Sequence, residues 1–137
     1  MDHIVIPSHI YKDMLEHCGN CLPDEACGIL AGSGSVVSEL YPITNIEASP
    51  VSYLMDPAGQ FRAMKDMRAR GLSMTAIFHS HPASPPFPSA KDTATAFYDD
   101  AVYVIVGLAE GPSPSVRAFS FREGKVEETG IAIKQTD

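Results

Sequence analysis

The chain has 137 residues, 45% hydrophobic and 20% charged, with a formal charge of −7 and a sequence pI near 5.1. That balance is ordinary for a folded domain and argues against disorder, while the excess of acid excludes a nucleic-acid duplex or an anionic membrane surface as the natural partner. No apolar run approaches the roughly 18–20 residues that span a bilayer, and the length suits a single domain over residues 1–137.

The opening Met-Asp-His-Ile-Val-Ile-Pro has neither a basic start nor an apolar stretch of secretory length, so no leader is predicted. Residues 3–6 predict a short strand. Pro7 and Ser8 then start a helix whose Ile10, Met14, Leu15 and Cys18 share one face, and Gly19-Asn20 ends it. His9, Asp13 and His17 recur at four-residue spacing, which could in principle hold a metal, but beside Glu16 they read as a water-facing stripe. Cys18-Gly-Asn-Cys21 is a C-x-x-C that closes a helix rather than opening one, and Cys27 alone does not supply the second pair that zinc wants. A structural role is predicted for it. Three cysteines, an odd number, also fit reduced thiols and a cytoplasmic location better than a disulfide framework.

Residues 26–32 form a small-residue strand, Gly32-Ser33-Gly34 a turn, and residues 36–41 a second strand, together a hairpin. After a polar connection over residues 45–50, residues 51–55 predict another short strand. Asp56-Pro57 caps and opens a helix with Phe61, Met64 and Met67 at three-residue spacing, its methionines reading as core filler, and Gly71 stops it. Its Lys65, Arg68 and Arg70 read as a solvated face and not a nucleic-acid footprint.

Residues 74–78 are apolar apart from Thr75 and predict a buried strand. If it continues through His81, the period of two sends His79 and His81 to one face and Ser80 to the other. The two imidazoles then stand about 6–7 Å apart at their Cα atoms and can grip one ion. Hydrolytic zinc takes three protein ligands and leaves a fourth position to water, so a third ligand is expected nearby. The bend over residues 82–88 contains Pro82, Pro85, Pro86 and Pro88, whose fixed φ makes it a stiff spacer. Beyond it, Ala90, Ala94 and Phe97 have helical spacing. Ser89 stands at the N-cap and Asp92 at the third helical position, which turns a hydroxyl and a carboxylate back toward the strand end. Taken singly, a histidine at a strand end or a Ser-x-x-Asp capping box has an ordinary explanation. Turns and caps do not require the whole spacing together.

Asp99-Asp100 predicts a turn, residues 101–108 a central strand, Gly111-Pro112-Ser113-Pro114 a turn, and residues 116–122 and 126–133 two further strands about Gly124. Residues 135–137 are expected to fray. The whole reads as α/β, a mixed β-sheet flanked by helices.

His79-Ser-His81, seven residues, Ser89, two residues and Asp92 resemble the JAMM (MPN+) zinc peptidases, with Glu25 in Pro23-Asp24-Glu25-Ala26-Cys27-Gly28 matching the family's upstream glutamate. Residue chemistry alone would not single out Glu25 from Glu16, Asp24, Glu39, Glu47 or Asp56. The resemblance implies an MPN (JAB) domain of cytidine-deaminase-like architecture. It implies one zinc per chain on His79, His81 and Asp92, with a water on the fourth position made acidic enough to supply hydroxide near neutral pH. It further implies Glu25 as general base and then acid, and Ser89 as hydrogen-bond donor to the oxyanion. The reaction implied is cleavage of an amide or isopeptide bond after the C-terminal Gly-Gly of a ubiquitin-like protein. In a chain this compact the resemblance is to short prokaryotic members acting on ubiquitin-like sulfur carriers or their conjugates. Two other readings compete. A non-catalytic MPN scaffold or binding module would usually lack one of the motif residues, and none is missing here. A zinc nucleoside deaminase would need His-x-Glu with a downstream Pro-Cys-x-x-Cys. The leaving group, homo-oligomerisation and any activating partner stay open.

Overall fold

The computed structural model describes residues 3–96, 101–109 and 113–136. In chain order it runs β1 (His3–Pro7), α1 (Ser8–Asn20), β2 (Cys27–Ser33), β3 (Val36–Ile43), α2 (Pro57–Ala69), β4 (Ser73–His81), α3 (Ala90–Ala94), β5 (Val102–Gly107), β6 (Ser115–Arg122) and β7 (Lys125–Lys134). The sheet is mixed, as expected: β1 pairs in parallel with β3 and β7, and β4 with β5, while the other pairings are antiparallel. It also closes on itself in the order β1-β3-β2-β4-β5-β6-β7, so that no strand among the described residues is left as an open edge.

Each face of the central strands packs on its own helix. Ala76, Phe78, Val102, Val104 and Leu30 meet Ile10, Met14 and Cys18 of α1. Ile77, Tyr103, Ile105 and Ile29 meet Ala63 and Met67 of α2. Burying such side chains contributes about 1.5–3 kcal/mol each. Because both faces are covered, β4 and β5 read as nearly continuous apolar runs instead of alternating ones. His79 and His81 continue the face of Ile77, and Ser80 turns to the other.

Several expectations need correction. Residues 51–55 form no strand; a lone bridge joins Asn45 to Met55. The Asn45 side chain holds the Ser52 carbonyl and the Leu54 N–H, groups that a ladder would otherwise use. The core stripe of α2 is Ala63 and Met67, one turn apart, and Phe61 is 67% exposed. A three-residue spacing drifts around the helix, whereas a four-residue spacing stays nearer one line. The α1 stripe splits as well. His9 bonds Thr136, but His17 is half-buried, with its Nε2 3.3 Å from the Cys27 carbonyl oxygen and its ring edge-on to Phe78. The site helix ends at Ala94, earlier than a stripe reaching Phe97 implied. Phe97 and the Asp99-Asp100 turn lie outside the described residues, as do Gly111 and Pro112 of the Gly111–Pro114 turn. Cys18, Cys21 and Cys27 are free thiols, with Cys18 in the core.

Candidate metal centre

β4 lies between β2 and β5, with Cys27 opposite His79 on one side and Ile105 on the other. That register brings Glu25, two residues before Cys27, to the end of β4. Ser80 secures the approach from the far face. Its Oγ accepts the Ala26 N–H at 2.8 Å, and its own N–H donates to the Ala26 carbonyl at 3.1 Å. The proline-rich bend then doubles back over β5, where Pro86 packs so closely on Gly107 that a Cβ there would stand 2.8 Å from the Pro86 Cδ. This close approach returns the chain to the histidines.

At the start of α3 the Ser89 Oγ accepts the Asp92 N–H at 3.0 Å, and Asp92 Oδ2 accepts the Ser89 N–H at 2.9 Å, a full capping box. The box locks the carboxylate toward the strand end. His79 Nε2 and His81 Nε2 are 3.2 Å apart, and they lie 3.2 and 3.0 Å from Asp92 Oδ2. Both rings are buried and the Asp92 side chain is 10% exposed. His81 Nδ1 stands 2.8 Å from the Pro85 carbonyl, which can only accept, so that nitrogen carries hydrogen and Nε2 faces Asp92.

Electrostatics sharpen the picture. Burial pushes the His79 pKa down, against the pull of Asp92, so this ring is neutral. Burial also acts against the charged form of His81, but Asp92 and the Pro85 carbonyl prevail and raise its pKa. For Asp92, burial is outweighed by the bonds to both histidines, and the carboxyl sits well below the usual range. One proton can bridge only one of the three contacts among these atoms.

A zinc ion fits all three. Tetrahedral ligands about 2.0–2.1 Å from an ion lie roughly 3.3 Å from one another, close to the separations here. Among the described residues this is the group of three whose ligand atoms converge, within 4.8 Å of each other.

Glu25 lies beside this cluster. It is 4% exposed, its Oε1 has no hydrogen-bond partner among the described residues, and its backbone is tied to Ser49 and Asn45. Burial first, then Asp92 and Glu47, push its pKa to about 7 against His81 and Lys91. A carboxylate that titrates near neutrality is suited to proton transfer. Ser89 is exposed, and a hydroxyl that accepts one bond keeps a proton to donate. The structure thus gathers His79, His81, Asp92, Ser89 and Glu25 at one place. Sequence reading passed over Ser80, Asn45 and Tyr53. Tyr53 stacks on His79 with ring centroids 4.5 Å apart, and no spacing pattern pointed to it.

The family described as prokaryotic homologs of the JAB domain matches residues 7–122. The chain belongs to this family. As a JAB-domain protein it is 33% identical over 132 residues to the CysO-cysteine peptidase of Mycobacterium tuberculosis, covering 95% of this chain and 90% of that one. It is 34% identical over 123 residues to a probable TtuB-protein conjugate cleaving protease of Thermus thermophilus, covering 89% and 78%. A solution structure from Desulfitobacterium hafniense superposes with a TM-score of 0.89 at 39% identity, over 97% of this chain and 94% of that one. With peptidases among its relatives over 78–90% of their lengths, this JAB protein is a hydrolase of the JAMM type. Among the described residues, no helix is long and apolar enough to cross a membrane.

Proposed function

We propose that the chain, acting as one unit over residues 1–137, is a zinc-dependent peptidase that hydrolyses the amide bond after the C-terminal Gly-Gly of a ubiquitin-like sulfur carrier or a related conjugate. The observation that carries this reading is the convergence of two neutralisable imidazoles and an ionised carboxylate beside a buried glutamate, one of whose oxygens has no partner among the described residues. His79, His81 and Asp92 hold one zinc, which when bound activates water and polarises the scissile carbonyl. Glu25 accepts a proton from the attacking water and passes it to the leaving nitrogen. The new C–O bond forms first, and the C–N bond breaks only as the nitrogen receives that proton, so the products are a carboxylate and an amine. The Ser89 hydroxyl donates to the oxygen that gains charge on the way. The names of the relatives support the substrate class, since one is a CysO-cysteine peptidase and another a probable protease that cleaves TtuB–protein conjugates.

The test is metal content and turnover in parallel. Purified protein holds one zinc per chain, and His79→Ala or Asp92→Ala loses it. Glu25→Gln keeps the metal, while cleavage of a diglycine-tailed carrier adduct falls by about 10²–10⁴. Stoichiometric zinc in the His79→Ala, Asp92→Ala double variant would overturn the ligand set, and undiminished turnover in Glu25→Gln would remove Glu25 as the base.

A further inference from the structure

A metal-binding imidazole ordinarily donates its second ring N–H to a carboxylate, a carbonyl or water, which fixes both the tautomer and the plane of the ring. His81 conforms, through Nδ1 and the Pro85 carbonyl. His79 does not. Its Nδ1 is buried and has no hydrogen-bond partner among the described residues. What the ring has instead is the face of Tyr53, stacked at 4.5 Å between centroids with 23° between the planes.

Tyr53 is itself firmly held. Asn45 Nδ2 donates to the Ser52 carbonyl at 3.1 Å, and Asn45 Oδ1 accepts the Leu54 N–H at 3.0 Å, so one amide grips the backbone on both sides of Tyr53. The same Nδ2 donates to the Glu25 carbonyl at 3.0 Å. Ile46 N–H to the Leu54 carbonyl, at 3.0 Å, closes the loop behind it. The tyrosine is therefore anchored to the segment that carries Glu25, and its ring is pressed against the side of His79.

We infer that Tyr53 is a positioning residue for His79, its aromatic face setting the plane of this ring as the Pro85 carbonyl sets that of His81. The inference rests on the zinc reading proposed above. It assigns the effect to the ring face and not to the phenol hydroxyl, so phenylalanine should serve and an aliphatic side chain should not. Loss of an outer support of a metal ligand typically costs about 10–100-fold in affinity.

Zinc affinity of the full chain, measured by competition with a chelator, separates the outcomes. Tyr53→Leu should bind zinc about 10–100-fold more weakly, and Tyr53→Phe should keep the wild-type affinity. In the cobalt-substituted protein the visible ligand-field bands should change in Tyr53→Leu and not in Tyr53→Phe. Urea unfolding of the metal-free variants separates a local effect from general loss of structure, and Tyr53→Ile is the second aliphatic variant if Tyr53→Leu does not fold. Undiminished zinc affinity in the aliphatic variant overturns the inference, as does an equal loss in Tyr53→Phe, which would assign the effect to the hydroxyl. Wild-type protein that takes up no zinc would overturn the functional reading itself. Wild-type zinc binding that is indifferent to residue 53 would sink this inference alone.

Discussion

Replacing Ser80 by alanine deletes one oxygen atom from a site with no solvent exposure, and the consequence can be worked from two hydrogen bonds. Ser80 Oγ accepts the Ala26 N–H at 2.8 Å, whereas the Ser80 N–H to Ala26 carbonyl bond at 3.1 Å survives the substitution. Ala26 is 2% exposed, so water cannot take over as acceptor without entering the core. A buried donor left unpaired costs about 1–3 kcal/mol, and the retained Cβ keeps the cavity term small. For a chain of this length each kcal/mol lowers Tm by roughly 3–4 °C, so the expected fall is about 3–12 °C. Urea unfolding of the metal-free protein is the assay, because bound zinc would add its own linkage to the measured stability. The midpoint should fall with the slope unchanged. Since Ala26 follows Glu25, turnover should fall while zinc is retained. A loss below about 0.5 kcal/mol, within the usual range of a surface substitution, would refute the claim that this bond fastens the Glu25 segment to β4.

Gly28→Ala drives a Cβ into the edge of the Phe78 ring and places it 2.5 Å from the Tyr41 carbonyl oxygen, so thermal unfolding should show a loss of about 1–3 kcal/mol; wild-type stability would mean that the Phe78 ring yields freely. Burial pushes the Cys18 and Cys27 thiols up to about 12, so at pH 8 iodoacetamide should spare both in the folded protein and label partly exposed Cys21 first. Mass spectrometry that finds Cys18 or Cys27 alkylated before unfolding would contradict this. In the metal-free protein His81 has a raised pKa and holds a proton below that value, which zinc must displace. Zinc affinity should therefore fall as pH drops through that raised value, with proton release visible by calorimetry in buffers of different ionisation enthalpy. Equal heats in all buffers under acidic conditions would show that no proton is exchanged.

The parts of the centre that were legible in the sequence are those whose geometry is local. A strand fixes the side-chain period at two, so His79 and His81 share a face whatever surrounds them. A capping box fixes Asp92 relative to Ser89 through hydrogen bonds three residues apart. The element order followed for the same reason, apart from residues 51–55, where a side chain took the bonds that a ladder needs.

What only the tertiary structure decided is which distant segments stand beside that motif. Glu25 lies 54 positions before His79, and its place depends on β2 lying antiparallel to β4 with Cys27 opposite His79. Among several acidic residues of similar local chemistry, nothing short of that register, or likeness to a known family, distinguishes it. Tyr53 and Asn45 depend still more on the fold, because the loop that carries them has no periodicity to read and acquires its path from bonds to Glu25, Ser52 and Leu54. Spacing along a chain encodes distances that covalent geometry and a few hydrogen bonds can hold. Sheet order, register and the course of an irregular loop emerge from the packing of the whole core.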